Sequence, residues 1–246
     1  MPGRAAPFLL GVLGGMGPLA TVDFLAKLID ATPAAGDAGH APFVAASIPQ
    51  IPSRVAAILA DGESPLPALL AVRDRLLAAG ATLLAMPCNT AHRWHDDLAR
   101  GIDVPFLHIA DAAAGEVGAR VPAGATVGVI ATAATHAIGL YSERLERAGC
   151  RVAVPVDADD LRAVADGIAA VKRGDAAAGG RLFARVVSAL ERRGVAAIVL
   201  GCTEVPPGLA AAGIRPGVPW VDPTGALARA CAAAWMRARA VPAGTA

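Results

Sequence analysis

Two sequence motifs occur twice in this 246-residue chain, in the same order each time. The segment GVLGGMGPLATVDFLAKLI, from Gly11, is echoed 117 residues later by GVIATAATHAIGLYSERLERAG, from Gly128. TLLAMPCNTA, which contains Cys88, is echoed by AIVLGCTEVP, in which Cys202 lies 114 residues further on. Because both the order and the spacing are reproduced, we predict a duplicated unit and two lobes related by a pseudo-twofold axis.

Short runs of aliphatic residues alternate with Ala-, Leu- and Arg-rich segments of helical period. This alternation is typical of α/β folds with parallel central sheets. We predict strands at 8–14, 42–47, 82–86, 105–109, 126–130, 151–154, 197–200 and 220–221. We predict helices near 19–31, 52–60, 64–79, 90–100, 110–119, 138–148, 158–172, 176–193 and 224–239.

The repeat also suggests where the lobes begin and end. We assign residues 1–109 and 218–246 to the first α/β lobe and residues 110–217 to the second. The C-terminal strand and helix are given to the first lobe because each lobe otherwise lacks a closing element. Since ligands bind beyond the carboxyl ends of parallel strands, we expect the active site in the cleft between the lobes.

Charge and composition exclude two classes of partner. The formal net charge is +1 and no helix carries a basic stripe, so nucleic acid is not expected to bind. No apolar stretch is both long enough and helix-compatible enough to span a membrane. The first apolar run is interrupted by glycines and predicts a buried strand better than an export signal. We therefore expect a cytoplasmic protein whose four cysteines stay reduced.

The segment GMGPLA, from Gly15, fits the glycine-rich turn that seats a pyrophosphate in dinucleotide-binding folds. Such folds also need an acidic residue where the second strand ends, to bind the ribose. Here that strand is followed by SIPQ, from Ser47, which contains no carboxylate. The turn is therefore predicted to bring backbone amides close to a ligand that is smaller than a dinucleotide and anionic.

In each half a strand rich in Val, Leu and Ile ends at a cysteine, Cys88 or Cys202. A following helix is expected to lower the pKa of such a thiol. Taken singly, each could be an ordinary buried cysteine, and a disulfide is a competing use that would close the cleft. Facing each other across one cleft, two thiols suit racemisation, in which one removes a proton from a carbon and the other returns it to the opposite face.

These residues carry a resemblance. The chain resembles the aspartate/glutamate racemase family, in particular its cofactor-independent aspartate racemase branch. The resemblance rests on five segments in order: GGMGPLAT, SIPQIPSR, MPCNTAH, GLYSERL and LGCTEVP. It implies a two-lobed fold with the site in the cleft, an amino-acid substrate, no cofactor such as pyridoxal phosphate, and a homodimer.

The resemblance also implies roles for individual residues. Cys88 and Cys202 take the place of the catalytic acid/base pair. Arg54 occupies the position that binds the side-chain carboxylate, and Lys172 is a second cation that the aspartate branch uses there. The residues expected to hold the substrate's carboxylate and amine are Met16, Gly17, Asn89, Thr90, Thr132 and Thr203.

For two charged residues, Glu204 and Lys172, a simpler interpretation stays open. Glu204 is expected to bind the substrate ammonium or to orient the Cys202 thiol, but it could merely complement a helix dipole. Lys172 could be a solvated lysine at a helix end.

The chain departs from the family pattern at three places. Glutamate racemases have Asp-Ser where this chain has Gly14-Gly15, and His where it has Glu204, which points away from that activity. The aspartate branch commonly has Asp where this chain has Ser53, a departure that bears on how Arg54 is oriented. Residues 131–136, in the turn of the second lobe, are expected to tune substrate choice.

A metal site is not expected. His92 and His95 follow Cys88 at spacings that could place both on one helical face, but a structural zinc site needs four ligands. No acidic or thiol partner follows in a metal-ligand spacing. We expect His92 to pack or hydrogen-bond behind the cleft and His95 to face solvent.

The sequence therefore predicts a cofactor-independent racemase of an acidic amino acid, aspartate before glutamate. One alternative is another enzyme on the same scaffold, such as a maleate isomerase, a hydantoin racemase or an arylmalonate decarboxylase. The presence of both cysteines argues against the single-cysteine decarboxylases. The other alternative is a two-lobed amino-acid-binding protein that closes on its ligand without reacting.

Overall fold

The computed structural model describes residues 7–240 of the chain. Its strands are Leu10–Gly14 (β1), Phe43–Ser47 (β2), Leu83–Ala85 (β3), Thr126–Ile130 (β4), Arg151–Ala153 (β5), Ala197–Leu200 (β6) and Trp220–Val221 (β7). Its α-helices are Pro18–Asp30 (α1), Arg54–Leu59 (α2), Leu66–Ala78 (α3), His95–Ala99 (α4), Ile109–Gly118 (α5), Ala133–Ala137 (α6), Ser142–Arg147 (α7), Ala158–Lys172 (α8), Ala176–Arg192 (α9), Val205–Ala211 (α10) and Pro223–Ala240 (α11). Two 3-10 helices span Asp37–Gly39 and Thr90–Trp94.

The strands form two parallel sheets that share one topology. The first has the order β2-β1-β3, and a parallel bridge between Leu84 and Phe106 adds a fourth position beside β3. The second has the order β5-β4-β6-β7. β4 thus corresponds to β1, and β6 to β3, as the repeated motifs require. The predicted α/β fold with two lobes and parallel sheets is confirmed.

The last strand corrects the predicted lobe boundary. β7 pairs with β6 in the second sheet, so assigning all of 218–246 to the first lobe is wrong for this strand. The physical reason is that β6 is the preceding strand in the chain and offers backbone groups along one edge, with which β7 pairs. Ile198 N–H of β6 also donates to the carbonyl of Pro219, just before β7, at 2.9 Å. The helix that follows, α11, packs against α1. Residues 241–246 lie outside the described part.

Two helices connect the halves by packing on the lobe opposite to their own strand. α5 follows the strand position of Phe106 but buries Ala113 and Val117 against Val127 and Leu145 of the second half. α11 follows β7 but buries Leu227 and its neighbours against α1 and β1 of the first half. A helix from each half thus packs on the core of the other half. The two halves therefore determine the walls of the cleft together.

Several predicted elements differ in detail. The helix predicted at 90–100 is a 3-10 helix followed by α4, and the strand predicted at 105–109 is reduced to the bridge at Phe106. α6 lies in the segment expected to be a turn, where Thr132 caps it by accepting a hydrogen bond from Thr135 N–H. α10 was not predicted, although its prolines lie in the first turn, where a helix tolerates them.

Within residues 7–240, no helix combines the length and the apolar composition that a membrane crossing requires.

Candidate active site

The two predicted cysteines lie in equivalent loops, directly beyond the carboxyl ends of β3 and β6. Both strands are completely buried next to the central strand of their sheet, which fixes where each loop begins. Cys88 is 6% exposed and Cys202 is 7% exposed, yet both line one cavity. The fold therefore brings together at one site two thiols that are 114 residues apart in sequence.

The cavity is small, about 70 Å³, and its walls come from both halves. This size suits a small metabolite and is too small for a dinucleotide. The residues that line it are Met16, Ser53, Arg54, Val55, Cys88, Asn89, Thr90, Thr132, Lys172, Cys202, Thr203 and Glu204. Of the residues predicted from sequence, Gly17 does not line this cavity and instead borders a neighbouring groove along α1. Val55 was not predicted, although it directly follows Arg54 on α2.

Arg54 is held rigidly at the start of α2. Ser53 caps this helix by accepting a hydrogen bond from Ala56 N–H at 3.3 Å, so serine performs the capping that aspartate would provide. Nη1 of Arg54 donates to the carbonyl oxygens of Ile51 and Pro52, at 2.8 Å each. A guanidinium fixed in this way presents its remaining donors in one orientation, which favours bidentate binding of a carboxylate.

Glu204 connects the second thiol to two other polar side chains. Its Oε2 accepts hydrogen bonds from Sγ of Cys202 at 2.9 Å and from Oγ1 of Thr203 at 3.0 Å. Its Oε1 lies 3.8 Å from Nζ of Lys172, whose side chain is 58% exposed. Of the roles considered for Glu204, its contacts favour orientation of the Cys202 thiol.

Burial raises the pKa of both thiols, so the expectation that a helix dipole would lower it is wrong. For Cys88, the effect of burial is opposed by the positive charge of Arg54 and by the backbone N–H of Ala91. For Cys202, burial and then the negative charge of Glu204 raise the pKa well above its usual value. Loss of water around each thiol outweighs the cations and backbone N–H groups that favour the thiolate. The proton is therefore held more firmly at Cys202 than at Cys88.

Three threonine hydroxyls join the two halves beside the cavity. Oγ1 of Thr90, from the first half, lies 3.3 Å from that of Thr132 and 2.9 Å from that of Thr135. Thr132 and Thr135 are themselves linked at 2.9 Å. Sequence reasoning missed Thr135, and the spacing of two threonines at the start of a helix is the signal that could have found it.

The side chain of Asn89 is buried at the wall of the cavity. Its Oδ1 accepts a hydrogen bond from the hydroxyl of Tyr141, and its Nδ2 has no hydrogen-bond partner among residues 7–240. Since an unpaired buried amide is costly, such a donor marks a place for a ligand acceptor. Tyr141 was not predicted as a site residue, although it lies in the GLYSERL segment.

His92 supports the Cys88 loop from behind. Its Nδ1 lies 2.8 Å from the carbonyl oxygen of Cys88, and its Nε2 accepts the N–H of Ile109 at 3.1 Å. Nδ1 therefore carries the proton and donates to Cys88, while burial, with the nearby His108, lowers the pKa of His92 well below its usual value.

His95 does not face solvent as expected. Its side chain is 13% exposed and stacks on the ring of His92 at 5.6 Å. Within residues 7–240, no three His, Cys, Asp or Glu side chains are grouped as a metal site would require.

Comparison with known proteins identifies the family. The pattern of the Asp/Glu/hydantoin racemase family matches residues 13–231, which span both sheets and both cysteine loops. The chain belongs to this family. Among curated proteins, the broad specificity amino-acid racemase RacX of Bacillus subtilis is 30% identical over 107 residues, which are 42% of this chain and 46% of RacX. The match thus spans about half the length of this curated relative.

Two solved structures of this family are similar over almost the whole chain. An aspartate racemase from Picrophilus torridus is 30% identical, with a TM-score of 0.81 over 94% of this chain and 95% of that chain. An aspartate racemase homologue from Pyrococcus horikoshii is 25% identical, with a TM-score of 0.72 over 94% of this chain and 100% of that chain. The family member described here therefore shares the two-lobed architecture of these proteins.

Proposed function

We propose that the protein is a racemase of an acidic amino acid, aspartate before glutamate, that works without a cofactor. The observation that carries this proposal is that Cys88 and Cys202, from equivalent loops, line the same small cavity as Arg54. The similarity to an aspartate racemase from Picrophilus torridus supports the choice of substrate.

The two thiols supply both the base and the acid. The Cys88 thiolate removes the α-proton of one enantiomer and becomes a thiol, and the electron pair of the broken C–H bond stays on the substrate as a carbanion. The Cys202 thiol then donates its proton to the opposite face of that carbon and becomes the thiolate. The reverse reaction starts from Cys202. The positive charge of Arg54 opposes the effect of burial on the pKa of Cys88, which supports Cys88 rather than Cys202 as the thiol that loses its proton first.

The other lining residues bind and orient the substrate in this proposal. Arg54 binds the side-chain carboxylate as a fork, and Lys172 adds positive charge at the cavity mouth. The α-carboxylate gains negative charge as the carbanion forms, so fixed donors around it lower the barrier. In this proposal the α-carboxylate and amine meet groups that line the cavity: the amide of Asn89, the hydroxyls of Thr90, Thr132 and Thr203, and the backbone of Met16.

Deuterium incorporation tests the proposal. L-aspartate and D-aspartate are incubated separately with the protein in deuterated water, while proton NMR follows the α-proton and chiral chromatography follows the product. We expect loss of the α-proton signal and formation of the other enantiomer. Cys88→Ala and Cys202→Ala should each reduce racemisation by more than about 1000-fold, because either change removes one of two obligatory proton carriers. Each variant can still exchange the α-proton of one enantiomer.

Cys150→Ala is the matched control. Cys150 is buried in the core of the second half and does not line the cavity. It should racemise aspartate like the wild type. Full activity of Cys88→Ala or Cys202→Ala would contradict the two-thiol mechanism. Turnover of hydantoins or maleate instead of aspartate would favour another enzyme of the family. Ligand-induced stabilisation without deuterium incorporation would favour an amino-acid-binding protein.

The same proposal includes a compartment and an assembly. Both thiols must stay reduced to exchange protons, which favours the cytoplasm. A homodimer is proposed from the family resemblance, and the exposed apolar side chains of Leu19 and Val22 on α1 offer surface that a second subunit could cover. Sedimentation velocity tests the assembly, and a single monomeric species at micromolar concentration would contradict it.

A further inference from the structure

Tyr141 contacts both thiol-bearing loops, although it lies in neither. Its ring packs against Gly201, the residue before Cys202, so closely that a Cβ atom at position 201 would lie 2.8 Å from the ring. Its hydroxyl donates to Oδ1 of Asn89, the residue after Cys88. Tyr141 is 2% exposed, so these contacts hold the ring between the halves.

The hydroxyl of Tyr141 determines which way the Asn89 amide faces. A buried phenol needs an acceptor for its proton, and within residues 7–240 that acceptor is Oδ1 of Asn89. Reversing the amide would present NH2 to the phenol and leave the phenol proton without this acceptor. The bond to Oδ1 therefore turns Nδ2 to the other side, where it has no partner in the described part of the chain. Asn89 itself lines the cavity.

The phenol of Tyr141 holds its proton more firmly than a solvent-exposed tyrosine does. Burial raises the pKa of Tyr141 well above its usual value, and the negative charge of Asp222 raises it further. The hydroxyl is therefore a donor to Oδ1 of Asn89 at neutral pH.

We propose that Tyr141 is a positioning residue that holds the Asn89 amide with its NH2 group toward the cavity, where it receives a carboxylate of the ligand. The choice of an amino-acid carboxylate as that ligand rests on the proposed function, whereas the orientation of Asn89 does not. In the reversed orientation the amide oxygen would face the carboxylate and repel it. Loss of the Tyr141 hydroxyl should therefore weaken carboxylate binding without removing any direct contact to the ligand.

A double-mutant cycle tests this inference, using Tyr141→Phe, Asn89→Ala and the double variant. Phenylalanine keeps the ring that packs on Gly201 and removes the hydroxyl alone. The readouts are KM and kcat for L-aspartate, and the Kd for succinate by calorimetry, which measures binding of a dicarboxylate without turnover. We expect Tyr141→Phe to raise KM and the succinate Kd about tenfold, and kcat to change less. In the Asn89→Ala background the same substitution should have no further effect, because Tyr141 acts through Asn89.

Thr32→Val is the matched control. It removes another buried hydroxyl, which bonds the carbonyl of Leu28 and does not line the cavity. It should lower thermal stability slightly and leave KM and the succinate Kd unchanged. If Tyr141→Phe lowers stability in the same way and leaves succinate binding intact, Tyr141 is merely structural and the inference is overturned.

The two proposals fail in different ways. A wild-type protein that binds succinate but does not racemise aspartate would contradict the proposed function, and the binding cycle would still decide the role of Tyr141. If Tyr141→Phe weakens succinate binding by the same factor with and without the Asn89 side chain, the positioning role is contradicted. That result would leave the proposed racemase activity unaffected. A wild-type protein that binds no dicarboxylate would overturn the positioning inference as well.

Discussion

At the scale of single residues, the two thiols occupy equivalent places but have unlike surroundings. Cys88 feels the positive charge of Arg54, whereas Cys202 donates a hydrogen bond to the carboxylate of Glu204. Both differences act in one direction, since a cation favours a thiolate and an anion favours a thiol. Equivalent loops thus carry an asymmetric pair, in which a nearby charge opposes the effect of burial on the pKa of Cys88 and adds to it at Cys202.

Glu204→Gln tests the cause of this asymmetry. The substitution keeps an acceptor oxygen near Cys202 but removes the negative charge, so the pKa of Cys202 should fall. The alkylation rate follows the thiolate fraction. We expect iodoacetamide to modify Cys202 roughly tenfold faster at pH 8 in the variant, the effect of about 1.4 kcal/mol less repulsion. Peptide mass spectrometry over a pH series measures the rate at Cys202 alone.

Glu191→Gln provides the control for that experiment. It removes the same charge from a glutamate of α9 that accepts the N–H of Gly217 and does not line the cavity. The alkylation profile of Cys202 should be unchanged. If Glu204→Gln also leaves the profile unchanged, burial alone sets the pKa of Cys202 and the carboxylate has no part in it.

At the scale of elements, the packing of α8, α9 and α10 positions one side of the cavity. α8 ends at Lys172, and α10 begins directly after Glu204, so the distance between these side chains depends on how both helices pack on α9. α9 and α10 approach closely at Gly180, where an added Cβ atom would lie 2.0 Å from the carbonyl oxygen of Gly208. Backbone atoms cannot move aside as a flexible side chain would.

We expect Gly180→Ala to destabilise the protein by about 2 kcal/mol, because it overpacks a backbone contact. Gly115→Ala is the matched substitution in α5, where an added Cβ would meet nothing within 4 Å. That variant should be more stable than the wild type by about 0.5–1 kcal/mol, since alanine favours a helix interior over glycine. Urea unfolding followed by circular dichroism measures both. If both substitutions change the free energy of unfolding by the same amount in the same direction, the close approach of α9 and α10 does not exclude a side chain at position 180.

At the scale of the whole molecule, buried titratable groups in both halves limit the pH range of stability. Burial lowers the pKa of His92, His108 (to about 3) and His136, and it raises the pKa of Cys88, Cys202 and Cys231 (to about 12). Each of these groups is therefore neutral in the folded protein over a wider pH range than in the unfolded chain. Because α5 and α11 pack across the lobes, both halves should unfold together when the pH leaves this range.

We expect the free energy of unfolding to be highest between about pH 6.5 and pH 8.5. Below pH 6.5 the unfolded chain binds protons at histidines that the folded protein keeps neutral, so stability falls with the pH. Above pH 8.5 the unfolded chain loses thiol protons that the folded protein keeps, so stability falls as the pH rises. Each group contributes up to about 1.4 kcal/mol per pH unit between its two pKa values.

Urea denaturation at several pH values measures this curve. Cys231→Ala should flatten the alkaline side, because it removes one thiol that is buried against α1 and lies outside the cavity. The acidic side should keep its slope in this variant. A free energy of unfolding that stays constant from pH 6.5 to pH 5 would contradict the burial of neutral histidines.

The class of fold and the equivalence of its halves could be predicted from sequence patterns. Strands such as Thr126–Ile130 and Ala197–Leu200 were predicted to the residue, because a short, continuous apolar run between turn signals has few alternatives to a buried parallel strand. The order of the repeated motifs was enough to predict that both cysteines follow corresponding strands. These are properties of local pattern and spacing, which a chain carries before it folds.

Three features arise only from tertiary packing: the sheet that β7 joins, the direction in which the pKa of each thiol shifts, and the side that the Asn89 amide presents. The pKa of Cys88 and Cys202 was predicted in the wrong direction, since loss of water around a side chain depends on everything packed against it. Tyr141 meets Asn89 across 52 residues, and no local pattern records that contact. The partner of a strand edge, the solvation of a charge and the orientation of an amide arise from atoms far apart in the chain, so they exist only once the two halves have packed together.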